Sequence, residues 1–158
     1  MSLNAVGLSL SGTVTPLGGS FLYELDIANA GPDDYSLVSI IDAPPGDPLI
    51  DPSLTTPAGF LGSYDSGLGI IDFLEAAQSF AAGTVFGGFS FESLTGPAAA
   101  FASFAALTTQ GAPASGNISW ELRAVPEPSG GMLSILAVAF GFAALSRTVL
   151  RSREIRRR

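Results

Sequence analysis

The chain contains no cysteine, no histidine and, among its seven basic residues, no lysine. Each absence removes a class of chemistry. Without cysteine there is no disulfide, no thiolate nucleophile and no zinc or iron–sulfur site built on thiolates. Without histidine the commonest general base and the commonest transition-metal ligand are gone. Without lysine there is neither a Schiff base nor a P-loop lysine for phosphate. What is plentiful is turn chemistry, with 19 glycines and 11 prolines in 158 residues. That density disfavours long helices and favours short strands joined by turns.

Charge is sparse and divided. Residues 1–125 hold twelve acids and a single base, Arg123, for a net charge of −11, whereas residues 126–158 hold two acids and six arginines, for +4. Such asymmetry points to two parts lodged in different surroundings. Nucleic acid is excluded as a partner, because the basic part is too short for a groove-reading module and the acidic part repels phosphate.

The basic part begins with an apolar segment. Gly130–Ser146 runs 17 residues without a charge, and Thr148, Val149 and Leu150 extend it to 21 beyond Arg147. At about 1.5 Å per residue a helix of that length spans roughly 31 Å, close to the hydrocarbon core of a bilayer. No polar face exists over Gly130–Ser146, which argues against a core helix of a globular domain. Arg147 sits where a long side chain snorkels to the headgroups. Arg151, Arg153, Arg156, Arg157 and Arg158 supply a positive-inside signal. The expectation is one transmembrane helix over 130–150, a cytoplasmic tail over 151–158, and the acidic body on the far side. That topology calls for an export signal. Met1–Leu10 has no basic start and no continuous apolar run and reads as a strand, so the signal is expected upstream of Met1. The other arrangement is a tail-anchored cytoplasmic protein.

Immediately before the helix stand Val125, Pro126, Glu127, Pro128 and Ser129. Two prolines fix φ and bias their predecessors to extended backbone, giving a rigid stalk at the membrane surface. The order of Val-Pro-Glu-Pro-Ser, a membrane-length helix and a terminal arginine cluster closely resembles the PEP-CTERM sorting signal of Gram-negative bacteria and cyanobacteria. The resemblance covers residues 125–158. It implies recognition by exosortase, a membrane protease or transpeptidase with its own cysteine nucleophile, and processing at or near Pro126–Pro128. It also implies delivery to the cell surface or the exopolysaccharide matrix, with exopolysaccharide as a further partner. The catalytic residues belong to exosortase, so none is expected here, nor any cofactor or metal. The secretory signal peptide with which family members begin is not visible ahead of residue 1.

Period-2 patterns dominate residues 1–124, the expected ectodomain. Strands are predicted over Ala5–Thr15, Phe21–Ala28, Tyr35–Ile41, Gly59–Tyr64, Ile70–Leu74, Val85–Glu92, Ala98–Leu107 and Asn117–Arg123. Breakers mark turns at Gly31–Asp34 and Asp42–Pro48, and a hairpin at Ser66–Gly67. The inward set is Phe21, Tyr23, Leu25, Ile27, Val85, Phe89, Phe91, Ile118, Trp120 and Leu122. Eight short strands and many phenylalanines predict an all-β antiparallel sandwich. The stretches Phe60–Ile70 and Val85–Phe91 also resemble the bodies of PEP-CTERM proteins, which have no assigned activity. Asp33, Asp34, Asp42, Asp47 and Asp51 are hard oxygen donors at spacings that could hold Ca²⁺ weakly, but no EF-hand or glycine–aspartate repeat is present. The simpler expectation is a solvated acidic exterior that resists self-association.

Two functions from different classes follow. The first is a non-enzymatic exported protein of the surface or matrix. The second is a carbohydrate-binding or carbohydrate-active exoprotein with the same address, for which two carboxylates would suffice. An exposed aromatic platform or a cleft of convergent carboxylates would favour the second.

Overall fold

The structure, a computed structural model, describes residues 7–124. The chain divides into two units, 1–124 and 125–158, and everything below concerns the described part of the first. It is almost entirely β: β1 (Leu8–Pro16), β2 (Phe21–Asn29), β3 (Tyr35–Ile40), β4 (Phe60–Asp65), β5 (Ile70–Glu75), β6 (Thr84–Ser93), β7 (Ser103–Thr108) and β8 (Pro113–Leu122). One helical turn, α1 (Ile50–Ser53), lies between β3 and β4.

All eight strands belong to one sheet in the order β4-β5-β3-β7-β8-β1-β2-β6. The sheet curls because β8 serves two neighbours in succession. Its first half pairs with β7 (Ser103↔Asn117 to Leu107↔Pro113), its second half with β1 (Leu10↔Ile118 to Val14↔Leu122). The curl brings the far ends together. Phe73 of β5 lies 4.8 Å from Phe89 of β6, and Phe60 of β4 lies 5.0 Å from Phe86 and 5.5 Å from Phe89, ring centre to ring centre. The expected all-β class therefore holds. The ladder is not wholly antiparallel, however, because β1 and β8 run parallel. A parallel neighbour from the opposite end of the chain leaves no local signal in either strand.

The segment around α1 closes the seam between the two ends. Thr55 exchanges both backbone hydrogen bonds with Ser90 of β6 (2.8 and 3.1 Å), and the Ser53 hydroxyl accepts the Glu92 N–H at 2.7 Å. On the other side, the Thr56 hydroxyl donates to the Phe60 carbonyl of β4 at 3.0 Å. An unpaired edge invites association, and this strap covers part of the β6 edge.

Alternation fixes the core. Tyr23, Leu25 and Ile27 of β2, Val38 and Ile40 of β3, Ile71 and Phe73 of β5, and Phe89 and Phe91 of β6 are buried. Phe21 and Trp120 are partly buried and pack against them. Tyr23 stacks on Phe91 at 4.9 Å and meets Trp120 edge-on at 5.1 Å. Gly12 lies opposite both Leu25 and Trp120, and a Cβ there would stand 2.5 Å from the indole and 2.3 Å from the Glu24 carbonyl. Only glycine lets the indole lie across β1.

Three expectations are corrected. Val85 points outward, 69% exposed, and Phe86 takes its place inside. The register slips between Leu25↔Phe89 and Ile27↔Phe86, leaving Gly87 and Gly88 (φ 91°) opposite Asp26. This two-against-one bulge reverses the parity of everything before it. Leu122 is exposed at the end of β8. Finally, residues 98–102 are not strand, and β7 begins at Ser103. Phe101 turns the chain there with a positive φ of 62° and buries its ring against Tyr23 at 4.7 Å. A left-handed aromatic residue is costly. It is held by Asp42, whose carboxylate accepts the Ala102 and Ser103 N–H groups at 2.8 and 3.2 Å. The Trp120 indole N–H adds a bond to the Phe101 carbonyl at 2.5 Å.

Candidate functional site

The residues of the expected sorting motif, Val125, Pro126, Glu127, Pro128 and Ser129, the expected helix over 130–150, and the arginines 147, 151, 153 and 156–158 all lie outside the described residues. The structure does show where the chain leaves the sheet. The Arg123 N–H donates to the Val14 carbonyl at 2.9 Å, and its guanidinium pairs with Glu24 at 3.2 Å. Val125, where the expected motif begins, thus follows the last ladder bond by two residues in the sequence. Among the described residues no helix is long and apolar enough to cross a membrane.

Several of the loop acids do more than form a solvated exterior. No group of three or more acids that could hold a metal ion occurs among the described residues. Asp47 is buried; its carboxylate accepts the Ser93 hydroxyl at 2.5 Å and the N–H groups of Leu94 and Leu49, both at 3.0 Å. Asp34 accepts the Ala82 N–H at 2.8 Å, Asp65 those of Gly67 and Leu68 at 2.9 and 3.0 Å, and Asp72 the Ser39 hydroxyl at 2.5 Å. A body with one arginine cannot pair its carboxylates with cations, so backbone N–H groups take that role and staple loops to strands. Pattern reading missed this use of Asp42 and Asp47. The signal was available in a proline-broken loop that carries acids in a chain almost without bases.

Shallow hollows mark the surface of the described residues, three of them lined by acids. One of about 260 Å³ lies at the β6 bulge and is lined by Glu24, Asp26, Ser90 and Arg123. A second of about 180 Å³ is lined by Asp33, Asp34 and Gln110, and a third of about 310 Å³ by Asp47, Asp51 and Tyr64. Each presents two carboxylates, and in each one carboxylate is already engaged: Glu24 by Arg123, Asp34 by Ala82, Asp47 by Ser93 and Leu94. Among the described residues every aromatic side chain is buried or half-buried; half-buried Tyr64 lines the third hollow, its hydroxyl donating to the Pro44 carbonyl at 2.6 Å.

The perturbed titrations are structural. Burial pushes the Tyr23 phenol well above its usual range, with the nearby Asp47 charge adding to the effect. Burial also raises Tyr35, with Asp33 contributing. The Tyr23 hydroxyl donates to the Thr95 carbonyl at 2.6 Å, and the Tyr35 backbone pairs with that of Phe80.

No protein-family profile matches the chain, and no curated protein matches it. Among solved structures the chain is similar to the GH20 exo-β-N-acetylglucosaminidase of Vibrio harveyi. An inactive mutant and a complex with N-acetylglucosamine each match at a TM-score of 0.49 and 10% identity, over 78% of this chain and 19% of the enzyme. The chain spans about a fifth of the length of those enzymes, and a likeness this distant carries no argument about activity.

Proposed function

We propose that the chain is an exported, non-enzymatic protein of the cell surface or exopolysaccharide matrix, carrying a PEP-CTERM sorting signal that exosortase processes. The observation that carries this reading is the ordered constellation of Val125–Ser129, the apolar run 130–150 and the arginines at 151–158. In this reading the acidic body is a β-sandwich ectodomain on the periplasmic side, 130–150 is a single transmembrane helix, and the tail is cytoplasmic. Helix and arginines hold the chain at a fixed depth, and the proline-rich stalk presents one reproducible height to a membrane-embedded enzyme. The mature form then reaches the surface or the matrix.

Support for a non-enzymatic body comes from its side chains. Its aromatic residues are used for packing, and the loop carboxylates of Asp34, Asp42 and Asp47 accept backbone N–H groups. In each described hollow one of the two carboxylates is already engaged, which favours the non-enzymatic reading.

The test uses variants in a host that carries exosortase, with a signal peptide supplied. Glu127→Ala impairs processing if the carboxylate is read directly. Serine at Arg151, Arg153, Arg156, Arg157 and Arg158 impairs it by loosening orientation and depth, each arginine contributing about 1 kcal/mol at an anionic surface. Normal processing of both variants contradicts the assignment.

A further inference from the structure

The outer faces of the two halves of the sheet differ. On β1, β2 and β8 the outward positions are mostly polar, Ser9, Ser11, Thr13, Glu24, Asp26, Ser119 and Glu121, with Leu22 and Ala28 apart from each other near the two ends of β2, close to the polar face expected of a sheet with one side in water. On the other half the register sets an apolar row across five strands: Leu61 (β4) opposite Leu74 (β5), Leu74 opposite Leu37 (β3), Leu37 opposite Leu107 (β7), and Leu107 opposite Pro113 (β8). Leu61 is 60% exposed, Leu74 37% and Leu107 38%. At about 4.8 Å between strands the row runs roughly 19 Å. Single exposed leucines are ordinary, but a contiguous row is a contact surface.

The charge around the row indicates its occupant. Asp72 lies on the same face one row along and Asp65 one row further. The one base among the described residues, Arg123, is on the other half and is paired with Glu24. A second copy would set acids against acids on bodies that each carry −11 over residues 1–125, which opposes self-docking. We infer that the Leu61–Leu74–Leu37–Leu107 row docks a partner protein through an amphipathic helix with leucine-like residues on one face and arginine or lysine beside them. Roughly 19 Å is about three and a half helical turns, and the 5.4 Å pitch lies close to the strand spacing. This inference is independent of how the C-terminus is sorted.

The probe is a synthetic helical peptide of about 14 residues, with leucines at i, i+4 and i+7 spacing and flanking arginines. It is titrated against residues 1–124, the compact unit that contains the core, after a cooperative urea transition has confirmed folding of wild type and variants. Wild type is expected to bind with an affinity that falls as salt rises. Leu74→Ser with Leu107→Ser should weaken binding about tenfold or more, whereas Leu122→Ser, on the other half, should leave it within about twofold. A peptide with serine in place of its leucines should not bind. The inference is overturned by no binding to wild type, by equal binding to wild type and the double variant, or by a leucine-dependent self-association that strengthens with salt.

Discussion

Asp47 offers the sharpest test of how the body is held together. Replacing it with alanine strips the Ser93 hydroxyl and the Leu94 and Leu49 N–H groups of their acceptor. Leaving a buried donor unpaired costs about 1–3 kcal/mol, and water reaching the less buried donors recovers part of it, so Asp47→Ala should cost about 3–5 kcal/mol. Asp47→Asn separates charge from shape. The amide keeps one oxygen; placed where Oδ2 was, it still serves Ser93 and Leu94, while its NH₂ faces the Leu49 N–H. The expected cost is about 1.5–3 kcal/mol, between alanine and wild type. Asp51 lies four residues on, in α1, without a side-chain hydrogen bond among the described residues, so Asp51→Asn should change stability by less than about 0.5 kcal/mol. Equilibrium urea unfolding at pH 7 gives all three values, with unchanged m-values showing that the unfolded reference is common. If Asp47→Ala lies within about 0.5 kcal/mol of wild type, or Asp51→Asn is as costly, the staple argument is wrong.

Gly12→Ala should destabilise by about 1–3 kcal/mol, since its methyl meets the Trp120 ring and the Glu24 carbonyl; Gly19→Ala, with open space around it, should be neutral in the same unfolding assay. Burial makes the folded state hold the Tyr23 and Tyr35 protons more tightly than the unfolded chain does. Stability should therefore be complete below pH about 10 and fall above it, by up to about 1.4 kcal/mol per pH unit for each phenol. Tyr23→Phe should flatten that fall, and a level profile for wild type would refute the burial argument. Millimolar Ca²⁺ should leave the melting temperature of the body unchanged, whereas binding at a hundredfold excess over Kd would add about 2.7 kcal/mol and a clear shift.

Alternation carried much of the fold. Phe21 to Ile27 announced β2, because one-sided burial forces period two on the side chains; the mostly apolar run Tyr35 to Ile41 announced β3, and Ser66–Gly67 announced the β4–β5 turn. What escaped was non-local. The Gly87–Gly88 bulge reads as an ordinary glycine pair until Asp26 lies opposite it, and its parity change turned Val85 out and Phe86 in. The division of β8 between β7 and β1 depends on partners far away in sequence. The alanine-rich stretch before Ser103 gave no warning that Phe101 would take a left-handed turn, since Asp42 imposes it from about sixty residues away. The candidate sorting signal shows the reverse balance. Its evidence is composition and order over 125–158, which sequence displays directly.

The most direct measurement of the sorting proposal is the intact mass of the mature protein from wild-type cells and from cells lacking exosortase, each expressing the chain with a signal peptide. The account predicts that the wild-type product lacks the apolar run and the arginine tail, with its new terminus at or near Pro126–Pro128, while the deletion strain retains residues 130–158. Identical masses in both strains, each retaining those residues, would contradict it and leave an ordinary C-terminal membrane anchor.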